Sequence, residues 1–403
     1  MRILIISDAY PPEIRSISAM VRELAEDLAS RGHKVTVATC WPQYNLSSDV
    51  KEDGFKPFCR EGEVDVIRIK TLPHHKVSFI IRGVAQLLLP FLFQRGIAKY
   101  VRGELDAVII YSPPLPLARI GASLKNRGAK FILNVQDIFP QVAVDLGALK
   151  NPWLIWFFER MERKCYEKAD KITTHTMGSR QFLIEKKQVP PAKVSTIHNW
   201  IDLDAFRRAR ATGEFRTKYG LEDKFIFLFP GILGPVQHLD FILEVAQRVR
   251  DILEIVFLFV GDGSQKAHLQ GQAKEWGLSN VRFEDFVSMD RYPALLKEAD
   301  VGMVCLGKDT KVSSIPGKVQ GFMAASLSMV AFLNRENDAH ELIQEAKCGY
   351  PGFSEDPEKA AQVIRDIFAD RAKLEQWGRN GYEYAASHFS KENSIERFLG
   401  IIE

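Results

Sequence analysis

Residues 1–39 read MRILIISDAYPPEIRSISAMVRELAEDLASRGHKVTVAT, and they contain a complete strand–helix–strand unit. Ile3 to Ile6 is a short unbroken apolar run, the pattern of a parallel strand buried on both faces. After a loop carrying Pro11 and Pro12, Ile17, Met20, Val21, Leu24 and Leu28 recur at helical spacing, with Ser16 or Ser18 as a cap near their start. Gly32 closes the helix, and Val35 to Ala38 supplies the second strand.

The alternation continues outward from this unit. Ala107 to Tyr111 and Phe131 to Val135 read as strands, with helices after Pro116 and from Pro152 to about Ala169, before a strand that ends at Ile197. A polar segment with Asp202 and Asp204 follows, and the pattern restarts at FIFLFPGILG, residues 225–234. A helix carrying Leu239, Ile242, Leu243, Ala246 and Val249 comes next, then the strand Ile255 to Val260, which runs into Gly261-Asp262-Gly263. Strands alternating with helices at this rhythm predict an α/β protein with two Rossmann-like, doubly wound domains facing a cleft. A chain of 403 residues accommodates two such cores of about 200 residues each. The expected divisions are 1–198, 199–383 and a terminal helix, 384–403, that crosses back to the first domain.

Composition narrows the class. Hydrophobic residues at 46% and charged residues at 26% are ordinary for a folded protein. A net charge of +3 disfavours a nucleic-acid binder, which concentrates an excess of Lys and Arg on one face. Five dispersed cysteines without a CxxC pair give neither a disulfide framework nor a zinc site, and the N-terminus lacks the long apolar core of a signal peptide. A cytoplasmic setting is expected.

One stretch stands apart. Residues 77–101, VSFIIRGVAQLLLPFLFQRGIAKYV, are very apolar yet interrupted by Arg82, Gln86, Pro90, Arg95 and Lys99. They suit either a buried helix pair of the first domain or a segment at a membrane interface, where Arg82, Arg95, Lys99 and Arg102 would meet anionic headgroups. Trp153, Trp156, Phe157 and Phe158 add weight to the interface.

Phosphate-binding chemistry is sought where Gly-rich loops and helix starts present backbone N–H groups. Gly231 and Gly234 form one such loop, while Ser313, Ser314 and Lys318 precede an apolar helix and could steady a departing diphosphate. A capped helix with a solvated lysine would read the same way. No GxGxxG follows either first strand, which disfavours a dinucleotide cofactor. His74-His75 lacks further ligands, and Asp202-Leu-Asp204 reads as turn chemistry, so no metal is expected.

The order of several short runs resembles a family-4 glycosyltransferase of the GT-B fold. They are SDAYPPE, NVQDIFPQVAVDLGAL, IHNWIDLDAF, GILGPVQHLD, FVGDGSQ, EADVGM and IPGKVQGFMAAS. Within that family the chain is most similar to the bacterial polysaccharide branch typified by the L-fucosamine transferases of O-antigen synthesis. The resemblance implies a retaining, metal-independent enzyme with no cofactor beyond its UDP-sugar donor. The sugar would be an N-acetylated or deoxy amino sugar, and the acceptor a lipid-linked glycan or polysaccharide at the cytoplasmic face of the inner membrane.

It also assigns residues. Arg15 and Ser16 fall where a first-domain loop approaches the sugar-bearing phosphate, and Gln136-Asp137 where relatives carry His-Asp beside the transferred sugar. Gly231, Gly234, Gln237 and His238 match the diphosphate loop, Phe286 and Val287 the turn that meets the base, Ser313, Ser314, Lys318 and Gln320 the helix-start motif, and Glu341 an acidic position near the ribose. Ser313 and Gly321 stand where the family has two glutamates, Ser326 replaces a glycine, and the usual Arg and Lys of the second domain are absent from GILGPVQH. Those departures keep two other readings open: a sugar-nucleotide epimerase of the same fold, and a non-catalytic partner subunit.

Overall fold

The computed structural model describes residues 1–13, 15–43, 46, 54–73, 77, 79–145, 147–307 and 315–403. The chain divides into two units, one of Met1–Asn199 with Ser394–Glu403 and one of Trp200–Asn393.

The first unit is built on an eight-stranded sheet of β1 (Arg2–Ile6), β2 (Lys34–Cys40), β3 (Phe58–Glu61), β4 (Val64–Ile69), β5 (Ala107–Ser112), β6 (Lys130–Val135), β7 (Lys171–Thr174) and β8 (Val194–Thr196). Its order is β3-β4-β2-β1-β5-β6-β7-β8. Every pairing is parallel except β3 with β4. That edge hairpin, turning at Gly62 (φ 59°), was not legible in the alternation of strands and helices. Ile3 to Ile6 and the whole of β5 are buried, as two-sided helix cover requires. The chain order reverses between β1 and β5, which makes their carboxyl ends the place for a ligand.

Residues 79–100 form one helix, Phe79–Tyr100, and not the helix pair weighed above; Pro90 lies inside it without dividing it. Ala85, Leu89, Phe93 and Ile97 recur every fourth residue and are buried, whereas Ile81, Val84, Leu88 and Phe91 are exposed. The helix Pro152–Lys168 begins on an Asn151 cap and also exposes Trp153, Leu154, Trp156 and Phe157. Both helices pack beside Ala118–Lys125. Among the described residues no helix is long and apolar enough to cross a membrane. The terminal helix Lys391–Ile402 joins the first unit through Ser394, whose hydroxyl donates to the carbonyl of His198 at 3.1 Å, and through buried Ile395, Phe398 and Ile402.

The second unit has six parallel strands: β9 (Phe225–Pro230), β10 (Ile255–Val260), β11 (Val281–Glu284), β12 (Val301–Cys305), β13 (Met329–Leu333) and β14 (Gly349–Phe353). Their order, β11-β10-β9-β12-β13-β14, reverses between β9 and β12. Alternation along β9 sends Phe225, Phe227 and Phe229 into one core layer and Ile226 and Leu228 into the other. The phenylalanines continue across strands, Phe227 on Phe257 at 5.5 Å and Phe259 on Phe283 at 4.9 Å between ring centres. Asp202 caps the helix Leu203–Arg208 by accepting from the N–H of Ala205 at 3.1 Å, the turn role expected of it.

Ser326 follows the helix Gly317–Ala324 with φ 56°, a left-handed conformation that favours the glycine it replaces. Ser326→Gly is expected to raise stability by up to about 1 kcal/mol, read as a higher midpoint in thermal unfolding; a lower midpoint would show that the serine side chain compensates the strain.

Candidate functional site

The second unit gathers its candidate residues at the β9–β12 reversal. Gly231 follows β9 directly, and Lys318 stands in the first turn of the helix after β12, so a methyl group placed on Gly231 would lie 3.5 Å from Lys318 Cε and 3.7 Å from Nζ. The ammonium sits 4.5 Å from the centre of the Phe229 ring. Burial pushes the Lys318 pKa down from 10.5 to about 8, partly opposed by the Cys305 thiol. Lys318 is therefore a partly buried cation, which an incoming anion would favour.

The glycine loop supplies less than expected. The N–H of Gly231 donates to the carbonyl of Val260 at 2.8 Å, and that of Leu233 to Asp262 at 2.9 Å. The N–H of Gly234 donates to Gln237 Oε1 at 3.2 Å. These amides are therefore committed, and Gln237 acts as a cap. A Cβ on Gly261 would come within 1.8 Å of the Gly231 carbonyl oxygen, so the glycines serve the packing of two loops. At the start of the helix Leu239–Arg248 the Phe241 amide donates to the carbonyl of exposed His238 (φ 47°) at 3.2 Å, which leaves the amides of Leu239 and Asp240 as donors.

The remaining assignments spread along the same edge of the sheet. Phe286 is 61% exposed just beyond β11, and Val287 packs on the core. Gln320 is partly buried one turn into the helix of Lys318, and Glu341 lies exposed in the first turn of Ala339–Ala346. Ser313 and Ser314 lie outside the described residues, as do His74 and His75. A Cβ on Gly321 would meet the Tyr292 hydroxyl at 2.9 Å, so the phenol fills the room that a glutamate side chain would need.

In the first unit a cavity of about 290 Å³ opens at the β1–β5 reversal. It brings together Arg15, Ser16, Gln136 and Asp137 from the sequence reading and adds Asp8, Tyr111, His175 and Asn199. Arg15 binds the Asp8 carboxylate at 3.2 Å and lies 3.7 Å from Glu13. Gln136 and Asn199 exchange amide hydrogen bonds of 2.8 and 3.2 Å, and Gln136 also donates to Asn134 at 2.6 Å. Surrounding protein raises the pKa of Asp137, although its side chain keeps access to solvent in the concave wall. Asp8 was within reach of sequence reasoning as the first carboxylate after a strand; Tyr111 and Asn199 were not, because only sheet order brings them there.

Residues 16–200 match the family model for a glycosyl transferase 4-like domain and residues 212–384 that for glycosyl transferases group 1. With two parallel-sheet units of Rossmann type, the protein is a GT-B-fold glycosyltransferase. The two matched segments take in most of the chain, which belongs to glycosyltransferase family 4. It is similar to the putative colanic acid biosynthesis glycosyl transferase WcaI of Escherichia coli K12, with 27% identity and all of both chains covered. It is also similar to the probable glycosyltransferase WbjE of Pseudomonas aeruginosa, at 24% identity over 81% of this chain and 82% of that one. The Anabaena protein HepE, solved in complex with UDP, has the same fold, with a TM-score of 0.72, 14% identity and coverage of 100% and 99%.

A pKa of about 8 at Lys318 has consequences of opposite sign for stability and for anion binding. The folded state binds fewer protons than the unfolded state between pH about 8 and 10.5, so this group's contribution to stability rises with pH across that window. Its positive charge fades over the same window. Calorimetric affinity for UDP is expected to fall as pH rises from about 7.5 to 9.5, and Lys318→Met should bind weakly with a flat profile. A native profile as flat as the variant's would remove Lys318 from the anion site.

Proposed function

We propose that the chain is a retaining, metal-independent glycosyltransferase that moves a sugar from a UDP-sugar to a lipid-linked or polysaccharide acceptor in cell-surface glycan synthesis. The observation that carries this reading is the partly buried cation Lys318 at the β9–β12 reversal, where an open α/β sheet receives its ligand. The Escherichia coli relative's name, with its colanic acid biosynthesis, supports the acceptor class, and the fold's occurrence with bound UDP supports the donor. Retention of configuration, an N-acetylated or deoxy amino sugar and kinship with the L-fucosamine transferases follow the resemblance of the motif order.

The chemistry asks little covalent work of the protein. As the bond between the anomeric carbon and the β-phosphate oxygen breaks, negative charge grows on that oxygen, and Lys318 with the amides of Leu239 and Asp240 offsets it. The acceptor hydroxyl bonds to the anomeric carbon on the face the diphosphate leaves, and its proton passes to the departing phosphate. The resemblance of the motif order assigns Gln136, held by Asn134 and Asn199, and Asp137 to the transferred sugar.

The acceptor's lipid would be met by the first unit. The exposed apolar residues of Phe79–Tyr100 and Pro152–Lys168 lie on helices that flank the same neighbour, and Phe79–Tyr100 carries Arg82, Arg95 and Lys99 but no acidic residue. Apolar side chains on a helix that carries basic and no acidic residues complement an anionic leaflet, and each basic residue near such a surface contributes about 1 kcal/mol.

Release of UDP from UDP-N-acetylglucosamine, UDP-N-acetylgalactosamine and UDP-N-acetylfucosamine in the presence of membrane extract tests the activity. Lys318→Ala should lower turnover by about 100-fold or more. Undiminished turnover in the variant would sink the assignment, and a native protein inert with every donor would favour the partner-subunit reading. Replacing Arg82, Arg95, Lys99 and Arg102 with Gln should reduce sedimentation with phosphatidylglycerol vesicles at an unchanged melting temperature. Equal sedimentation would exclude a lipid surface as the partner of this face.

A further inference from the structure

A second cavity of the first unit, of about 540 Å³, opens at the amino ends of β7 and β8, on the edge of the sheet opposite to the candidate site. The last turns of Pro152–Lys168 form one wall and the chain that follows Met177–Glu185 the other. The charges of its floor are committed. Glu162 is 1% exposed; it accepts from the Tyr166 hydroxyl at 2.9 Å and pairs with the Lys187 ammonium at 2.9 Å. The Lys193 ammonium donates to the carbonyls of Glu167 and Ala169 at 2.9 and 3.0 Å. The charges of its rim are not committed. The exposed side chains of Glu159, Arg163, Glu167 and Lys186 make no ion pair or hydrogen bond among the described residues, although Arg163 stands four residues from each carboxylate on one helix. Gln188, another lining residue, holds φ 57°, a left-handed conformation in which glycine would be unstrained.

Charge decides what the ligand is. Two uncommitted cations and two uncommitted carboxylates around a neutralised floor complement a ligand that carries both signs. A purely anionic ligand would meet Glu159 and Glu167, and a purely cationic one Arg163 and Lys186. A phosphate suits the forked guanidinium of Arg163 with the Lys186 ammonium, and a primary ammonium, with three N–H donors, suits the carboxylates. The helix indicates where such a group is met. Trp153, Trp156, Arg160, Arg163 and Glu167 follow one another at steps of three and four residues, so they share one exposed stripe of Pro152–Lys168. About 15 Å of helix axis separates Trp153 from Arg163. A helix that lies in a membrane surface with its aromatic half at the acyl boundary holds its other half at the level of the headgroups. The volume falls within the range of small-molecule sites.

We propose that this cavity binds a zwitterionic phosphoethanolamine group, with its phosphate on Arg163 and Lys186 and its ammonium on Glu159 and Glu167. The group belongs either to the headgroup of phosphatidylethanolamine or to a free ester; the lipid source rests on the membrane reading above, and the chemistry of the cavity does not. Saturation-transfer NMR titrates glycerophosphoethanolamine against the full chain, Arg163→Gln and the double variant Glu159→Gln/Glu167→Gln. Glycerophosphocholine, which keeps both charges but has no N–H to donate, and glycerol 3-phosphate, which has no cation, are the controls. The native protein should bind glycerophosphoethanolamine more tightly than either control. Arg163→Gln should bind it about two- to fivefold more weakly, the loss of an exposed ion pair. The double variant should lose the preference over the choline ester, and both variants should melt at the native temperature, since the replaced side chains are exposed. Native protein that binds no glycerophosphoethanolamine, or binds either control as tightly, overturns the proposal. So does undiminished binding by both variants. Sedimentation with phosphatidylglycerol vesicles that also contain phosphatidylethanolamine or phosphatidylcholine reads the source. A native preference for the ethanolamine vesicles, absent from the double variant, assigns the group to the lipid. Equal sedimentation with both vesicles, beside binding of the soluble ester, assigns it to a free ester. Native protein that sediments with neither yet binds the soluble ester removes the membrane reading and supports the cavity assignment.

Discussion

A parallel strand buried on both faces leaves only its ends for chemistry. β1 and β5 in the first unit, and β9 in the second, are closed off by packing on each side, so polar groups can collect only where the chain leaves the sheet. Where strand order reverses, neighbouring connections depart to opposite faces and the carboxyl edge opens. Both candidate sites lie at such reversals, and the short apolar runs Ile3 to Ile6 and Phe225 to Phe229 therefore determine where function can be, although none of their residues carries it.

In the second unit the packing also tunes the chemistry. Phe229 belongs to a layer of phenylalanines that fills one side of the sheet, and its ring forms the surface beneath the Lys318 ammonium. Removal from water lowers the lysine's affinity for its proton, and an incoming anion would restore it. The glycines nearby serve contact between the loops after β9 and β10. Charge comes from the helix that follows β12 and shape from the loop that follows β9, which are far apart in the chain and adjacent only through sheet order.

The departures from the family pattern acquire physical explanations in the same way. Tyr292 occupies the space that a longer side chain at position 321 would require. Ser326 retains the left-handed backbone of the glycine it replaces. Gln237 turns toward the Gly234 amide and takes the donor that the loop would otherwise offer. In the first unit, Arg15 is neutralised by Asp8 and Glu13, which gives that cavity a character opposite to the cationic site of the second unit.

Periodicity and turn residues in the sequence were enough to place the principal parallel strands, the two Rossmann-like units and the loops that end their strands, because burial on two faces and helical spacing leave direct marks on residue order. Lys318, Gln136 and Asp137 were legible as candidates through motif order. The hairpin of β3 and β4 was not, since its polar edge strand leaves a weak apolar signal. Nor was the state of any candidate: that Lys318 is partly buried, that Arg15 and the amides of Gly231, Leu233 and Gly234 are already engaged, and that the Tyr111 hydroxyl has no partner among the described residues. Those properties depend on which atoms approach across strands and loops distant in the chain, and that is set by sheet order and register, which no local pattern of residues encodes.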